Sequence, residues 1–462
     1  MTVIKKVENK LGMANGTFYF LISSIIVKVI GVVYKVPLFN LLGANGIGLY
    51  QMVFPVYALL LTLSGGGISS GITRLIAKHG NEELIVKKCM AIYLPIGLFF
   101  SALLFFGSDF ISLAQGNFQA SALYKAISPS VFLVCILGVL RGYFQGKNRF
   151  LPTATSQVIE QVVKCVSGLI ALLFAKGDYI VKAFWACFAI TFSEVIAVIY
   201  MCLLFKLKKD KLNQENKGSE KEKFKKITYA YLISFIMPLT LSSVCIPLSS
   251  FITSFIAVNS LKYTFGVSAT EIYGIYMGGV DALILFPVTL LNCISLGFLP
   301  KLSLDKKGAR SVLIVGVLSL LCAIAIAICA PVAVKILFGK NTTYYSLAVS
   351  LVRASSVCIV LHSLLHALSS LTLSCGKQKY SFIFLFIGVV VKTFLDLTLI
   401  KMPKVNIFGM VISDAGCFFV ALSLNLVYIY YIIIKAKQAG SKNELNVSRI
   451  RGRRKLSFRK SV

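Results

Sequence analysis

The sequence predicts an all-α polytopic membrane protein, with about twelve transmembrane helices in two six-helix lobes related by a parallel repeat. Three observations predict it. Of 462 residues, 57% are hydrophobic and only 14% charged, with a mean hydropathy of +0.83. Soluble domains average about 45–50% apolar and about 25% charged, so an ordinary soluble enzyme is excluded. Apolar segments able to cross a bilayer, roughly 20 residues each, recur along the whole chain. Finally, lysine and arginine crowd into alternate breaks between these segments.

The segments fall near 17–36, 47–77, 89–107, 126–145, 153–175, 181–205, 228–257, 272–299, 311–334, 345–373, 381–400 and 406–434. Before the first, Lys5, Lys6 and Lys10 precede an apolar run from Phe18 to Val33. That run is too long for a signal h-region and no small-residue cleavage site follows, so it reads as an uncleaved span. The second segment, at about 30 residues, makes roughly 45 Å of helix against a hydrocarbon core of about 30 Å. It contains Pro55 and Ser64-Gly65-Gly66-Gly67. Gly65, Gly66 and Gly67 predict either a hinge or close packing against a small-residue face. Domain boundaries follow: an N-terminal lobe over 1–205, a basic linker over 206–227, a C-terminal lobe over 228–434, and a basic tail over 435–462 expected to be disordered.

Counting lysine and arginine by side tests this topology. The side bearing the N-terminus holds 33 and the other side 9, which predicts that both termini are cytoplasmic. The net charge of +31 is therefore mostly an orientation signal and an attraction to anionic inner-leaflet lipid. It is not a footprint for nucleic acid, which needs the charge on one folded, water-facing surface.

The two halves resemble each other. Gly48-Leu49-Tyr50 matches Gly274-Ile275-Tyr276, Ile68-Ser69 matches Ile294-Ser295, and Gly71 matches Gly297, all at an offset of 226. Further on, Gly146-Lys147 matches Gly376-Lys377, and Val162-Val163-Lys164 matches Val390-Val391-Lys392. With six spans per unit both copies have one orientation, the arrangement of a carrier with a site between lobes.

Eleven charges lie within the spans: Lys28, Arg74, Arg141, Lys164, Arg353 and Lys392, with Glu160, Glu194, Asp281, Asp396 and Asp414. Each costs at least ~2.5–3.5 kcal/mol near the bilayer centre, so together they predict a polar cavity. Lys28 and Lys35 are seven apart on one face of the first span, and a cationic wall suits an anionic cargo such as a pyrophosphate. Glu160 with Lys164, and Lys392 with Asp396, are four apart, so each pair can meet on its helix, either to neutralise each other or to line a path. Arg74 and Arg141, near cytoplasmic ends, read as interfacial anchors or headgroup contacts. Asp281 has no cation three or four residues away and is the first candidate for coupling to a proton or sodium; Glu194 and Asp414 are weaker ones.

Other chemistry is not indicated. His362 and His366 are four apart, but Ser363 stands where a zinc peptidase needs glutamate, so no metal site is expected. Twelve cysteines, all but Cys375 in apolar runs and none in a CxxC pair, read as packing residues. There is no nucleophile triad, P-loop or dinucleotide motif, so no enzymatic activity and no cofactor are expected.

Longer motifs carry a resemblance. The stretch 35–50, KVPLFNLLGANGIGLY, continuing QMVFPVYALLLTLSGGGISSGITRLIAKHG, resembles the first signature of the polysaccharide biosynthesis flippases. These belong to the multidrug/oligosaccharidyl-lipid/polysaccharide exporter superfamily, and the stage V sporulation protein B branch is the most similar. Residues 140–161, LRGYFQGKNRFLPTATSQVIEQ, and 236–248, IMPLTLSSVCIPL, carry the second and third signatures. The resemblance covers about 15–434. It implies a V-shaped, MATE-like bundle alternating between inward and outward openings in a bacterial cytoplasmic membrane. It also implies a cargo of polyprenyl-pyrophosphate-linked sugar, such as lipid II or another wall or capsule precursor, with a role in sporulation and wall-synthesis enzymes as partners.

Lys28 stands in the place of a first-span arginine of the peptidoglycan flippases, and Lys35 where related chains often have arginine. There are departures. Leu60 and Leu61 replace an arginine pair, Ser250-Phe251-Ile252-Thr253 lacks an acid frequent there, and a basic tail follows where those relatives have two further helices. The expected headgroup ligands are Lys28, Lys35, Arg74, Arg141, Lys164, Arg353 and Lys392. The expected coupling residues are Asp281, Glu160 and Asp396, with proton, sodium and membrane potential left open. A cation-coupled multidrug antiporter and a non-transporting scaffold of a wall-synthesis complex are the alternatives.

Overall fold

The computed structural model describes residues 15–65, 67–79, 82–215, 228–298, 306–338, 344–374 and 378–458. Among these there are helices and no strands. Helix α1 (Asn15–Gly65) holds the first span and the start of the second, because it folds back at Gly43, whose φ of 66° is left-handed. A residue without Cβ reaches that conformation at no steric cost. Val27 and Phe54 consequently line one cavity, although a straight helix would put them about 40 Å apart. Helix α2 (Ile68–His79) completes the second span, and α3 (Glu82–Phe106), a short α4 (Ser108–Ala114), α5 (Ser121–Gly146), α6 (Phe150–Phe174) and α7 (Tyr179–Glu215) complete the lobe.

The second lobe repeats this plan. Helix α8 (Tyr229–Phe265) ends at Gly266, with φ of 56°, the counterpart of Gly43. The next span is built from α9 (Ala269–Gly274), a π-helical turn (Ile275–Val280) and α10 (Asp281–Phe298). Then come α11 (Lys306–Phe338), α12 (Tyr345–Ser374), α13 (Gln378–Leu399) and α14 (Phe408–Phe458). Ten described stretches are long and apolar enough to cross a membrane; two of them, Ile22–His79 and Ser243–Asn292, run to 58 and 50 residues. These two contain the turns at Gly43 and Gly266, so twelve passes result. The protein is a multi-pass membrane protein.

Two details refine the expected boundaries. Helix α7 runs on to Glu215, into the expected linker, while residues 216–227 lie outside the described residues. Helix α14 runs on to Phe458, across the stretch set apart as the basic tail. Residues 459–462 lie outside the described residues.

The packing is asymmetric between the two ends. On the side opposite the termini, one core joins both lobes: Ile47, Leu49 and Met52 of α1 pack with Val258, Ile272 and Tyr276. The repeat-related motifs meet there. A Cβ on Gly274 would lie 2.5 Å from the Cα of Gly48, so only glycines allow this crossing. Toward the side of the termini the cores separate. One holds α2, α3, α5 and α7 with Leu232 and Ile236 of α8, and another holds α12 and α14 through Leu365, Leu368 and Leu422. The lobes thus share one large core on the far side, while on the tail side α8 stays packed against the N-lobe through Leu232, Ile236 and the 3.1 Å contact of His79 Nε2 with Tyr231 Oη.

The glycine run in the second span sits at a close contact with the C-lobe. The helix breaks between Gly65 and Ile68, and a Cβ on Gly67 would lie 2.7 Å from the backbone nitrogen of Thr240 on α8. Gly66 lies outside the described residues.

Candidate functional site

Below the far-side seal, a cavity of about 430 Å³ opens between the lobes. Its N-lobe wall is α1 and α6, which contribute Lys28, Lys35, Gln51, Gln161 and Lys164; its C-lobe wall is α10, beginning with Asp281. Lys28 and Lys35 share this wall because seven residues make two helical turns. Lys164 faces it because its neighbour four residues back is engaged elsewhere. Glu160 accepts a hydrogen bond from Arg141 Nη2 at 2.7 Å, and Arg141 Nε also donates to Ser156 Oγ at 3.0 Å. The expected Glu160–Lys164 pairing is therefore not formed: the guanidinium reaches across from α5 and holds the carboxylate with planar geometry an ammonium does not offer. Among the described residues no carboxylate lies within 4 Å of Lys28, Lys35 or Lys164. Lys35 instead donates to the backbone carbonyl of Gly278 at 3.3 Å, across the seam between the lobes.

A second, smaller cavity of about 120 Å³ lies within the C-lobe, and Asp281 lines both. Here Lys392 pairs with Asp414 and stands 3.9 Å from Asp396. Asp396 is fully buried and accepts hydrogen bonds from Thr253 Oγ1 at 2.7 Å and from Ser413. Asp414 also accepts from Tyr276 Oη at 2.9 Å. The helical pairing of Lys392 with Asp396 is present, but the closer partner comes from another helix. Thr253, in the segment where an acid was expected from relatives, serves as a neutral donor to Asp396.

The remaining candidates lie apart from both cavities. Arg74 and Arg353 are exposed on the helix surfaces. Arg141 and Glu160 pair within the N-lobe, where Glu194 is buried and accepts from Tyr57 Oη at 2.7 Å. Among the described residues no group of three metal-ligating side chains occurs; His362 and His366 stack on each other with ring centroids 4.6 Å apart. Residues missing from the expected site are Tyr276 and Gln51, while Asp414 stood only as a weaker coupling candidate. Tyr276 was visible as the end of the Gly274-Ile275-Tyr276 repeat motif, and Asp414 as an intramembrane acid, but their pairing across helices leaves no trace in spacing.

The model of the family described as polysaccharide biosynthesis protein matches residues 13–304. The chain belongs to the polysaccharide biosynthesis protein family. Similar proteins include the lipid II flippase MurJ of Bacillus subtilis (strain 168), 22% identical over 95% of this chain and 85% of that protein. Stage V sporulation protein B of the same organism is 29% identical over 62% of this chain and 57% of that one. Among solved structures, the fold is shared with an inward closed lipid II flippase MurJ, at TM-score 0.66 and 12% identity over 89% of this chain and 87% of that one. It is also shared with an inward-facing MATE family multidrug resistance transporter of the MOP superfamily, at TM-score 0.64 and 16% identity over 93% and 98%. The polysaccharide biosynthesis family fold is thus the two-lobed, MATE-like bundle expected from sequence.

Proposed function

We propose that this protein is a non-enzymatic flippase for a polyprenyl-pyrophosphate-linked sugar, working by alternating access in a bacterial cytoplasmic membrane with both termini in the cytoplasm. The observation that carries the reading is that Lys28, Lys35 and Lys164 face one cavity between the lobes without a carboxylate within 4 Å among the described residues. Asp281 lines the same cavity but stands beyond 4 Å of these ammonium groups, and a pyrophosphate headgroup supplies the close partner through charge-assisted hydrogen bonds. The sugar occupies the polar cavity while the polyprenyl chain stays in lipid. A relative named as a lipid II flippase makes lipid II the first cargo to test, and one named as a stage V sporulation protein makes sporulation, with wall-synthesis enzymes as partners, the setting to test. Anionic lipids would attract the basic loops on the tail side.

Arg74, Arg141, Arg353 and Lys392 do not share that cavity, which leaves headgroup recognition with the three lysines. For coupling, Asp281 is the strongest of the three expected residues. It lines both cavities and makes no ion pair within 4 Å among the described residues, whereas Glu160 is held by Arg141 and Asp396 by Thr253 and Ser413. Flux measured against imposed proton, sodium and voltage gradients distinguishes the three couplings. Reconstitution with fluorescent lipid II and other polyprenyl-linked sugars tests the function. Exchange of cationic dyes without any lipid exchange would favour the antiporter instead, and unchanged complex assembly after neutralising all three lysines would favour the scaffold.

A further inference from the structure

The Lys35 hydrogen bond joins the two lobes at the point where they close. Its acceptor, Gly278, belongs to the π-helical turn Ile275–Val280 that precedes Asp281, and such turns concentrate at functional sites. Gly278 has no room for a side chain. A Cβ there would lie 2.7 Å from Phe39 Cζ, 3.0 Å from Ile47 Cγ2 and 3.1 Å from Gln51 Cγ, all on the N-lobe. One residue therefore carries both the apolar contact of the seam and its polar bond, and the ammonium that makes the bond also lines the cavity below.

We propose that Lys35 is a tether between the lobes which the anionic headgroup of the cargo unties. This rests on the reading of the cavity as a pyrophosphate site. The ammonium's partner in the empty state is a neutral carbonyl, and a phosphate oxygen adds an opposite charge to the same kind of hydrogen bond. With the headgroup held by Lys28 and Lys164, its phosphate oxygens draw the Lys35 ammonium toward the cavity and away from the 3.3 Å bond to Gly278. The headgroup consequently binds the untied state more tightly than the tied one, which is the condition for any ligand to shift a conformational equilibrium. Occupancy of the site and release of the seam become one event, so lobes of an empty carrier stay sealed on the far side.

Fluorophores placed through unnatural amino acids at Lys176 and Lys404, both exposed beyond the seam and one on each lobe, report its separation in full-length protein in nanodiscs. Inorganic pyrophosphate is the probe. In the unmodified chain it should raise the separated population, and Lys35→Met should raise that population without ligand by roughly 10-fold or more, the ratio a charged hydrogen bond supports. Lys35→Arg, which keeps the donor, should stay sealed until pyrophosphate is added. A Lys35→Met protein whose ligand-free distribution equals that of the unmodified chain overturns the tether, as does bound pyrophosphate that leaves the separation unchanged. Calorimetry on the unmodified chain separates the two ideas: absence of pyrophosphate binding rejects the headgroup site, whereas the ligand-free comparison still decides the tether.

Discussion

Lys392 is held in the C-lobe by two carboxylates from different helices, Asp396 on its own and Asp414 on the next. Removing the lysine leaves both carboxylates without a cation, at a cost of about 3–5 kcal/mol. Lys392→Met should therefore lower the thermal stability of the detergent-solubilised protein sharply, and adding Asp414→Asn should recover part of the loss. The cavity lysines should behave differently. Lys28→Ala and Lys164→Ala remove no internal ion pair, so membrane levels and melting should hold while leaflet exchange falls by roughly 10- to 100-fold, the value of one or two charged hydrogen bonds. At this scale the sequence was partly legible. The Lys28 and Lys35 face followed from helical spacing, and Asp281 stood out because no cation lay within a turn of it. Glu160 misled because a partner four residues away was outcompeted by Arg141, and tertiary partners of that kind have no spacing signature.

Besides the Lys35 bond, two further elements on the far side hold the lobes together. One is the glycine crossing, where Gly274→Leu would drive a side chain into the backbone of Gly48 and should cost about 1–3 kcal/mol as overpacking, read as a lower melting temperature and greater far-side reagent access. The other is the segment following α4. Fully buried Gln115 donates to Met52 O at 3.2 Å and Ser254 Oγ at 2.9 Å, and Asn117 donates to Thr270 Oγ1 at 3.1 Å. Hydrogen bonds from Ser121 and then Lys125 hold the Asp109 carboxyl, at the start of α4, below the usual carboxylate value. A depressed value means the contribution is complete above the usual carboxylate range and lost as the pH falls through the lower one. Hydrogen exchange of residues 108–121, corrected for intrinsic rate, should thus be flat from neutral to about pH 5 and rise only in stronger acid, and Asp109→Asn should abolish that acid dependence. The spans themselves were readable from hydropathy, and the Gly48 and Gly274 motifs from the repeat. The turns at Gly43 and Gly266 were not, because a positive-φ glycine and a helical glycine look alike in a sequence and only the backbone distinguishes them.

Across the whole molecule, the same duplication that gives the sequence its paired motifs places Gly48 and Gly274 against each other, with the cationic cavity directly beneath. The balance of six cations and five acids within the spans is spent unevenly: the N-lobe wall keeps Lys28 and Lys164 for the cavity, joined by Lys35 from the span end, and the C-lobe sets its acids around Lys392. A carrier built this way should move an anionic headgroup whose long apolar tail never leaves the lipid. The most direct measurement is leaflet exchange of fluorescent lipid II and related polyprenyl-pyrophosphate sugars in vesicles containing the purified chain. Exchange well above protein-free vesicles, lost when Lys28, Lys35 and Lys164 are all replaced by alanine, is the predicted result. Exchange that persists undiminished in the triple variant, or none for any polyprenyl-linked sugar with the intact chain, would contradict it.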